Sequence, residues 1–223
     1  RFEAAQPNET WQSDATHWRL ADGTDVEILN WLDDHSRLLL RCSTHAPVEG
    51  ETVVASFLEV VEEFGAPAST LTDNACVYTS RFTGGRNAFE YLLASLGVQQ
   101  KNGSPGHPQT QGKIERFHQT LKRWLAARPA AADLGELQDQ LDAFRHHYNE
   151  RRPHRALGRI TPATAYAATP KALACSNGAG AHYRVRYDRV DKTGAVSFRR
   201  GGRMHHLGIG RQGKDDALAA RVA

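Results

Sequence analysis

The sequence has 223 residues, 40% hydrophobic and 24% charged, with a formal net charge of +3. That length suits one ordinary domain plus a small second module, and the apolar content is enough for a packed core. No apolar run approaches the ~18 residues that a membrane span needs, and Arg1-Phe2-Glu3-Ala4-Ala5 is not a secretory leader.

Cys42, Cys76 and Cys175 are scattered, which argues against a disulfide framework and a structural zinc site and suits a reducing interior. The chain opens on Arg1 rather than Met and reads as a segment of a longer protein. Its charge is uneven. Between His182 and Arg211 eight Lys or Arg residues stand against Asp188 and Asp191. A local basic excess of that size points to a polyanion, with a solvated surface as the competing reading.

In chain order, Trp11 to Trp18 reads as a first strand. Ala21-Asp22-Gly23-Thr24 is a turn before a second strand, Val26 to Leu32. Asp33-Asp34-His35-Ser36 turns into a third at Arg37 to Cys42. Glu51 to Phe64 carries Val53, Val54, Phe57, Val60, Val61 and Phe64 at helical spacing, and Gly65-Ala66-Pro67 ends that helix. Ser69 to Asp73 is a short strand, Phe89 to Leu96 a helix, and Val98 to Lys101 a fifth strand. After a Gly/Pro loop, helices are predicted from about Thr110 to Ala127 and from Leu134 to Asn149. The order predicts a mixed five-stranded α/β sheet flanked by helices. Residues 168–181, rich in Ala, Gly, Ser and Pro, read as a linker. Residues 182–212 then read as a small basic all-β module with strands at Tyr183–Tyr187, Ala195–Phe198 and Met204–Ile209, and residues 213–223 as a frayed tail.

Among 25 acidic residues, position selects three. Asp14 lies within an apolar strand, where Asp is disfavoured. Asp73 ends a short strand, where sites form in open α/β sheets. Glu115 is one turn into a helix that follows a Gly/Pro loop. Each also has a plainer reading: Asp73-Asn74 as a turn, Glu115 as an acid favoured by the helix macrodipole. On the helix, Gln111, Glu115, His118, Gln119 and Lys122 share a polar face, opposite an apolar stripe of Ile114, Phe117, Leu121 and Leu125. Hard divalent cations such as Mg²⁺ take oxygen ligands, and a pair of them can serve in-line displacement at phosphorus. Without metal, three converging carboxylates would repel and at least one pKa would rise.

The strings Leu71-Thr72-Asp73-Asn74-Ala75 and Ser104 to Lys122 resemble the integrase catalytic core of bacterial insertion-sequence transposases. Trp11 to Asp14 is similar to that core's first-strand motif, Leu32 to Arg37 to its second-strand turn, and Tyr148 to His154 with Leu157 to Pro162 to its C-terminal motif. The likeness covers roughly residues 8–167, within an expected core domain of residues 1–167. It implies a ribonuclease-H-like fold, an adjoining β-module of SH3-like type, and a D,D,E triad at Asp14, Asp73 and Glu115 holding two Mg²⁺ (or Mn²⁺) ions. It also implies hydrolysis that frees a 3′-OH at the element end, then attack by that hydroxyl on target DNA. Here 41 residues separate Asp73 from Glu115, more than in retroviral integrases, and the surplus is assigned to Ser80–Asn87. The resemblance further implies a helix-turn-helix region ahead of the core in a complete transposase.

The expected DNA contacts are His107, Gln111, Lys113, His118, Gln119 and Lys122 around the third acid, then Arg151, Arg152 and Arg155 after the last core helix. Arg184, Arg186, Arg199, Arg200 and Arg203 extend them into the β-module. Arg145, His146, His147, His154 and Arg159 join the same helix-end stripe. His107 is also weighed as a general acid or base. Phosphate contacts of this kind are sequence-independent and salt-sensitive. The implied partners are transposon ends, target DNA and further copies of the chain as a dimer or higher assembly, with no membrane, in the cytoplasm beside a bacterial nucleoid. Two other function classes stay open: a ribonuclease-H-like metal nuclease, and a domesticated, non-catalytic DNA-binding protein.

Overall fold

The computed structural model describes residues 3–80, 85–102 and 112–174, together with the backbone of strands 184–188, 195–200, 203–208 and 218–222. β1 (Trp11–Arg19), β2 (Asp25–Asp33) and β3 (Leu39–His45) form an antiparallel meander. The chain then crosses through α1 (Gly50–Phe64) to β4 (Ser69–Thr72), parallel to β1, and through α2 (Ala88–Ser95) to β5 (Gln99–Asn102), parallel to β4. The sheet order is β3-β2-β1-β4-β5. α3 (Gly112–Ala126), α4 (Leu134–His146) and the short α5 (Pro162–Ala167) follow.

Strand alternation decides the layers. Val26, Ile28 and Leu32 of β2 join one apolar cluster with Ile114, Phe117, Leu121 and Leu125 of α3 and Leu137, Leu141 and Phe144 of α4. Leu29 and Trp31, on the opposite side of the same strand, join Trp11 of β1, Val53, Phe57 and Val60 of α1, and Phe89 and Leu93 of α2. The sheet is thus sandwiched between two helical layers. Complete burial of a side chain such as Phe57 or Leu121 contributes about 1.5–3 kcal/mol. Local chemistry sets the helix ends. Asn87 and Glu90 form a reciprocal capping box on α2, and Asp133 caps α4. Gly65, at φ 77°, closes α1 with its N–H on the Val61 carbonyl.

The predicted Leu134–Asn149 helix is α-helical only to His146 and continues as a wider π turn over His147–Arg151. That turn carries Asn149, whose side chain pairs with the outer strand: its Oδ1 accepts from the Leu39 N–H and its Nδ2 donates to the Leu39 carbonyl, both at 2.9 Å. Gln138 does the same further along β3, accepting from Thr44 N–H and donating to the Cys42 carbonyl. Side-chain amides from α4 and the π turn that follows it thereby cover backbone that an edge strand would otherwise expose.

The chain divides into two units, residues 1–178 and 179–223. The stretch expected as linker begins inside the first: Ala172 is buried and its N–H donates to the Pro7 carbonyl. In the second unit, β6 (Arg184–Asp188) pairs with β9 (Leu218–Val222), and β7 (Ala195–Arg200) with β8 (Arg203–Gly208), all antiparallel. β9 lies within the stretch expected as a tail, residues 213–223. Its backbone groups find partners along β6, from Arg184↔Val222 to Asp188↔Leu218.

Candidate active site

Parallel pairing of β1 with β4 aligns Trp11 with Thr70 and Gln12 with Leu71. Asp14 and Asp73 each stand two residues beyond the last paired position, where the carboxyl end of β4 leaves the sheet. Glu115 lies in the first turn of α3, on the helical layer that covers the face occupied by Val26 and Ile28.

Asp14 is partly buried, with 26% of its side chain exposed. Its Oδ1 accepts the Ala15 N–H at 2.9 Å. Burial, then the negative charge of Asp73, pushes its carboxyl up from 3.8 to about 6; Glu115 adds to the rise, and the Ala15 N–H opposes it. Burial is the largest cause of that rise, and both Asp73 and Glu115 act on Asp14 electrostatically. Asp73 is held through its Oδ1, which accepts from Ala75 N–H at 3.0 Å.

Among the described residues no group of three or more His, Cys, Asp or Glu is gathered closely enough to hold a metal ion unaided. The donor set nonetheless suits a hard cation. All three are carboxylates, and Mg²⁺ sites characteristically use one or two carboxylates with water and substrate phosphate rather than an all-protein cage. An unneutralised negative cluster that raises its own carboxyl pKa is also what a cation would relieve.

His118 forms one wall. Its Nδ1 is 3.9 Å from Asp14 Oδ2, and its Nε2 is 3.1 Å from Asn30 Nδ2. Asn30 is the direct cross-strand partner of Asp14 and is fully buried. Its amide also donates to the Ile28 carbonyl, while the Cys42 thiol donates to its Oδ1. Burial, with the Lys122 charge, lowers the His118 pKa to about 4, so the ring is neutral at pH 7. Below the acids, Ser13 and Tyr78 share a hydroxyl hydrogen bond of 2.9 Å. Asn30, Ser13 and Tyr78 went unnoticed in the sequence; polar residues inside apolar strands were the available signal. A groove of about 450 Å³, lined by Thr79, Gly85, Arg86, Glu90, Gln100 and Asn102, adjoins the site through the Asn102–Asn74 hydrogen bond.

The predicted DNA contacts divide. His107 and Gln111 lie outside the described residues. Lys113 turns inward to Asp34, and His118 faces Asp14 and Asn30. Gln119 is exposed and Lys122 partly so, at the i+4 and i+7 positions from Glu115. Arg151 and Arg155 are exposed, whereas Arg152 contacts His154 Nε2 at 2.9 Å. Arg145 pairs with Glu63 and donates to the Leu39 carbonyl, and His147 stacks on Trp124, so both are already engaged. Arg184 and Arg186 lie on β6, Arg199 and Arg200 on β7, and Arg203 on β8; their side chains are outside the described set.

Residues 4–108 match a family model described as an integrase core domain, and residues 96–162 match a second with the same description. The InsD protein of insertion element IS2E from Escherichia coli (strain K12) is 30% identical over 170 residues, covering 73% of this chain and 75% of that protein. The 39.2 kDa protein of insertion element IS476 from Xanthomonas euvesicatoria is 28% identical over 160 residues, covering 72% of this chain and 44% of that protein. The chain thus spans under half the length of the IS476 relative. The magnesium complex of the HTLV-2 integrase catalytic core, in its dimeric form, shares the fold with a TM-score of 0.57 at 17% identity, covering 73% of this chain and 98% of that one. The five-stranded sheet with its two helical layers is accordingly of ribonuclease-H-like type.

Proposed function

The chain belongs to the insertion-element transposases with an integrase core domain, and on that premise we propose that it cuts DNA at transposon ends and joins the freed 3′-OH to target DNA. The observation that carries the reading is geometric: the β1–β4 register sets Asp14 and Asp73 side by side, each two residues past the Gln12–Leu71 pair, with Glu115 in the first turn of α3 near enough to act on Asp14. Asp14, Asp73 and Glu115 are the residues that would hold two Mg²⁺ or Mn²⁺ ions. Such ions, when bound, activate the attacking oxygen and stabilise the leaving oxygen of an in-line displacement at phosphorus.

The chain's own residues do the rest. Asp14 and Asp73 supply the negative wall at the sheet end. The neutral His118 ring from α3 and Asn30 from β2 border that wall without adding charge. Gln119 and Lys122 extend from the Glu115 side of the helix toward the DNA backbone, with His107 and Gln111 ahead of them and Arg151, Arg152 and Arg155 beyond. Arg184, Arg186, Arg199, Arg200 and Arg203 of the second unit add sequence-independent phosphate binding. Two DNA ends have to be joined in one event, which calls for a dimer or larger assembly of the chain on paired ends, at the bacterial nucleoid.

The test is a strand-transfer assay with pre-cut ends and Mg²⁺. Asp14→Asn, Asp73→Asn and Glu115→Gln are each expected to remove joining and cleavage by on the order of 10³-fold or more, with DNA affinity within about twofold of the parent. Substantial activity in any one of them would show that acid to be misassigned, and cleavage without joining in the parent would favour a hydrolytic nuclease. Removing residues 179–223 is expected to weaken DNA binding and flatten its salt dependence; an unchanged slope would remove the second unit from the DNA-binding surface.

A further inference from the structure

The turn between β2 and β3 carries acidic residues that the reaction above leaves unused. Asp34 has no exposed side-chain surface. Its Oδ2 accepts from the Ala4 N–H at 2.7 Å and from the Lys113 ammonium at 2.5 Å; its Oδ1 accepts from the Gln12 amide at 2.5 Å. Lys113 Nζ also reaches the Asp34 main-chain carbonyl at 3.3 Å. Burying a carboxylate this deeply is costly unless donors and a cation surround it.

The donors come from informative places. Gln12 precedes Asp14 by two residues on β1, so both side chains leave the strand on the same side. Lys113 precedes Glu115 by two residues in the first turn of α3. One carboxylate therefore grips both the strand that carries the first acid and the helix turn that carries the third. A DNA phosphate that drew Lys113 away would strip a fully buried carboxylate of its cation.

We propose that Asp34 is a positioning residue that sets the separation of Asp14 and Glu115, and that Lys113 serves this tie rather than a DNA phosphate. The inference rests on the reading of Asp14, Asp73 and Glu115 as metal-holding acids. Asp34 touches neither metal nor DNA in this role. It acts by fixing where β1 and the start of α3 lie relative to each other.

The experiment uses the full chain with Asp34→Asn, Lys113→Met and the double variant, each melted first to establish that it folds. Mn²⁺ affinity, amide hydrogen exchange at Ile114–Phe117 and affinity for a random-sequence duplex are then measured. Loss of a residue that orients metal ligands costs about tenfold to a hundredfold in metal affinity, so each single variant is expected to bind Mn²⁺ at least about tenfold more weakly. Exchange in the first turn of α3 is expected to quicken while α4 keeps its protection. The double variant is expected to lose no more than either single one, because the two residues form one unit. Duplex affinity and its salt slope are expected to stay unchanged. If Asp34→Asn does not fold, Lys113→Met decides the matter alone. Unchanged Mn²⁺ affinity and exchange in folded variants would overturn the proposal. So would a Lys113→Met variant whose salt slope drops by about one phosphate contact while Mn²⁺ binding holds. If the parent binds no Mn²⁺ at all, the reading of the three acids fails, and the exchange at Ile114–Phe117 still decides the clamp.

Discussion

Two acidic regions lie on the same sheet and differ in how their charge is compensated. At the β2–β3 turn, Asp33 and Asp34 are fully buried. Asp33 accepts from the Asn8 N–H at 2.8 Å, the Ser36 N–H at 2.7 Å and the Ser36 hydroxyl at 2.6 Å. These bonds counter the upward push of burial on its carboxyl, although the net shift is still upward. Asp34 has Ala4, Gln12 and the cation of Lys113. At the site, Asp14 is the less buried residue, yet it has one backbone donor and two acidic neighbours. Depth alone would put the greater penalty at the turn, which is the more buried of the two. What separates them is whether the compensating donors come from the chain itself or are left to a cation and substrate.

The comparison breaks first at the turn. Asp34→Ala removes one partner of a buried ion pair and leaves Lys113 uncompensated, so it is expected to cost about 3–5 kcal/mol of stability in urea unfolding. A loss below about 1 kcal/mol would mean that the turn is not held by its internal donors.

The second prediction has the opposite sign. In the metal-free protein the Asp14 carboxyl holds its proton up to about pH 6, against an ordinary value of 3.8. The folded state thus binds this proton more tightly than the unfolded state does. The residue destabilises the fold above about pH 6; the penalty fades as pH falls toward 3.8. Asp14→Asn is therefore expected to stabilise the metal-free protein at pH 7.5 by on the order of 1–3 kcal/mol, with the gain gone below about pH 4. A destabilised variant at pH 7.5 would show that the acids do not repel as described.

The gentlest effect sharpens the comparison from the ligand's side. Mn²⁺ is expected to raise the melting temperature of the parent at pH 7.5. Its affinity is expected to fall by up to about tenfold per pH unit below about pH 6, as Asp14 takes up a proton in competition with the ion. Asp14→Asn is expected to lose that pH dependence along with most of the binding. A parent whose Mn²⁺ affinity is flat from pH 7.5 to 5 would place the ion away from Asp14.

Much of the fold was legible because its signals are local. The apolar spacing on Glu51–Phe64 and on Ile114, Phe117, Leu121 and Leu125 identified the buried faces of α1 and α3. Asp14 drew notice because an acid inside an apolar strand is out of place, and Asp73 because sites form at the carboxyl end of strands in open α/β sheets; their alignment follows from the β1–β4 register. Helical spacing assigned His118 to the polar face beside Glu115, and Lys113 was a nearby candidate; neither signal could show that the Lys113 side chain meets Asp34 and that of His118 meets Asp14 and Asn30. The π turn at His147–Arg151 gave no periodic signal, since its geometry accompanies the pairing of Asn149 with Leu39.

By itself the sequence determined the order of strands and helices and the apolar stripes, and it singled out the three acids proposed for the site, all from patterns a few residues long or from recognisable strings. Only the tertiary structure decided which charges are compensated. Lys113 meets Asp34 across 79 residues, and His118 meets Asn30 across 88. Such partners are chosen by how α3 docks on the sheet, and docking is a property of the whole packed core rather than of any one segment.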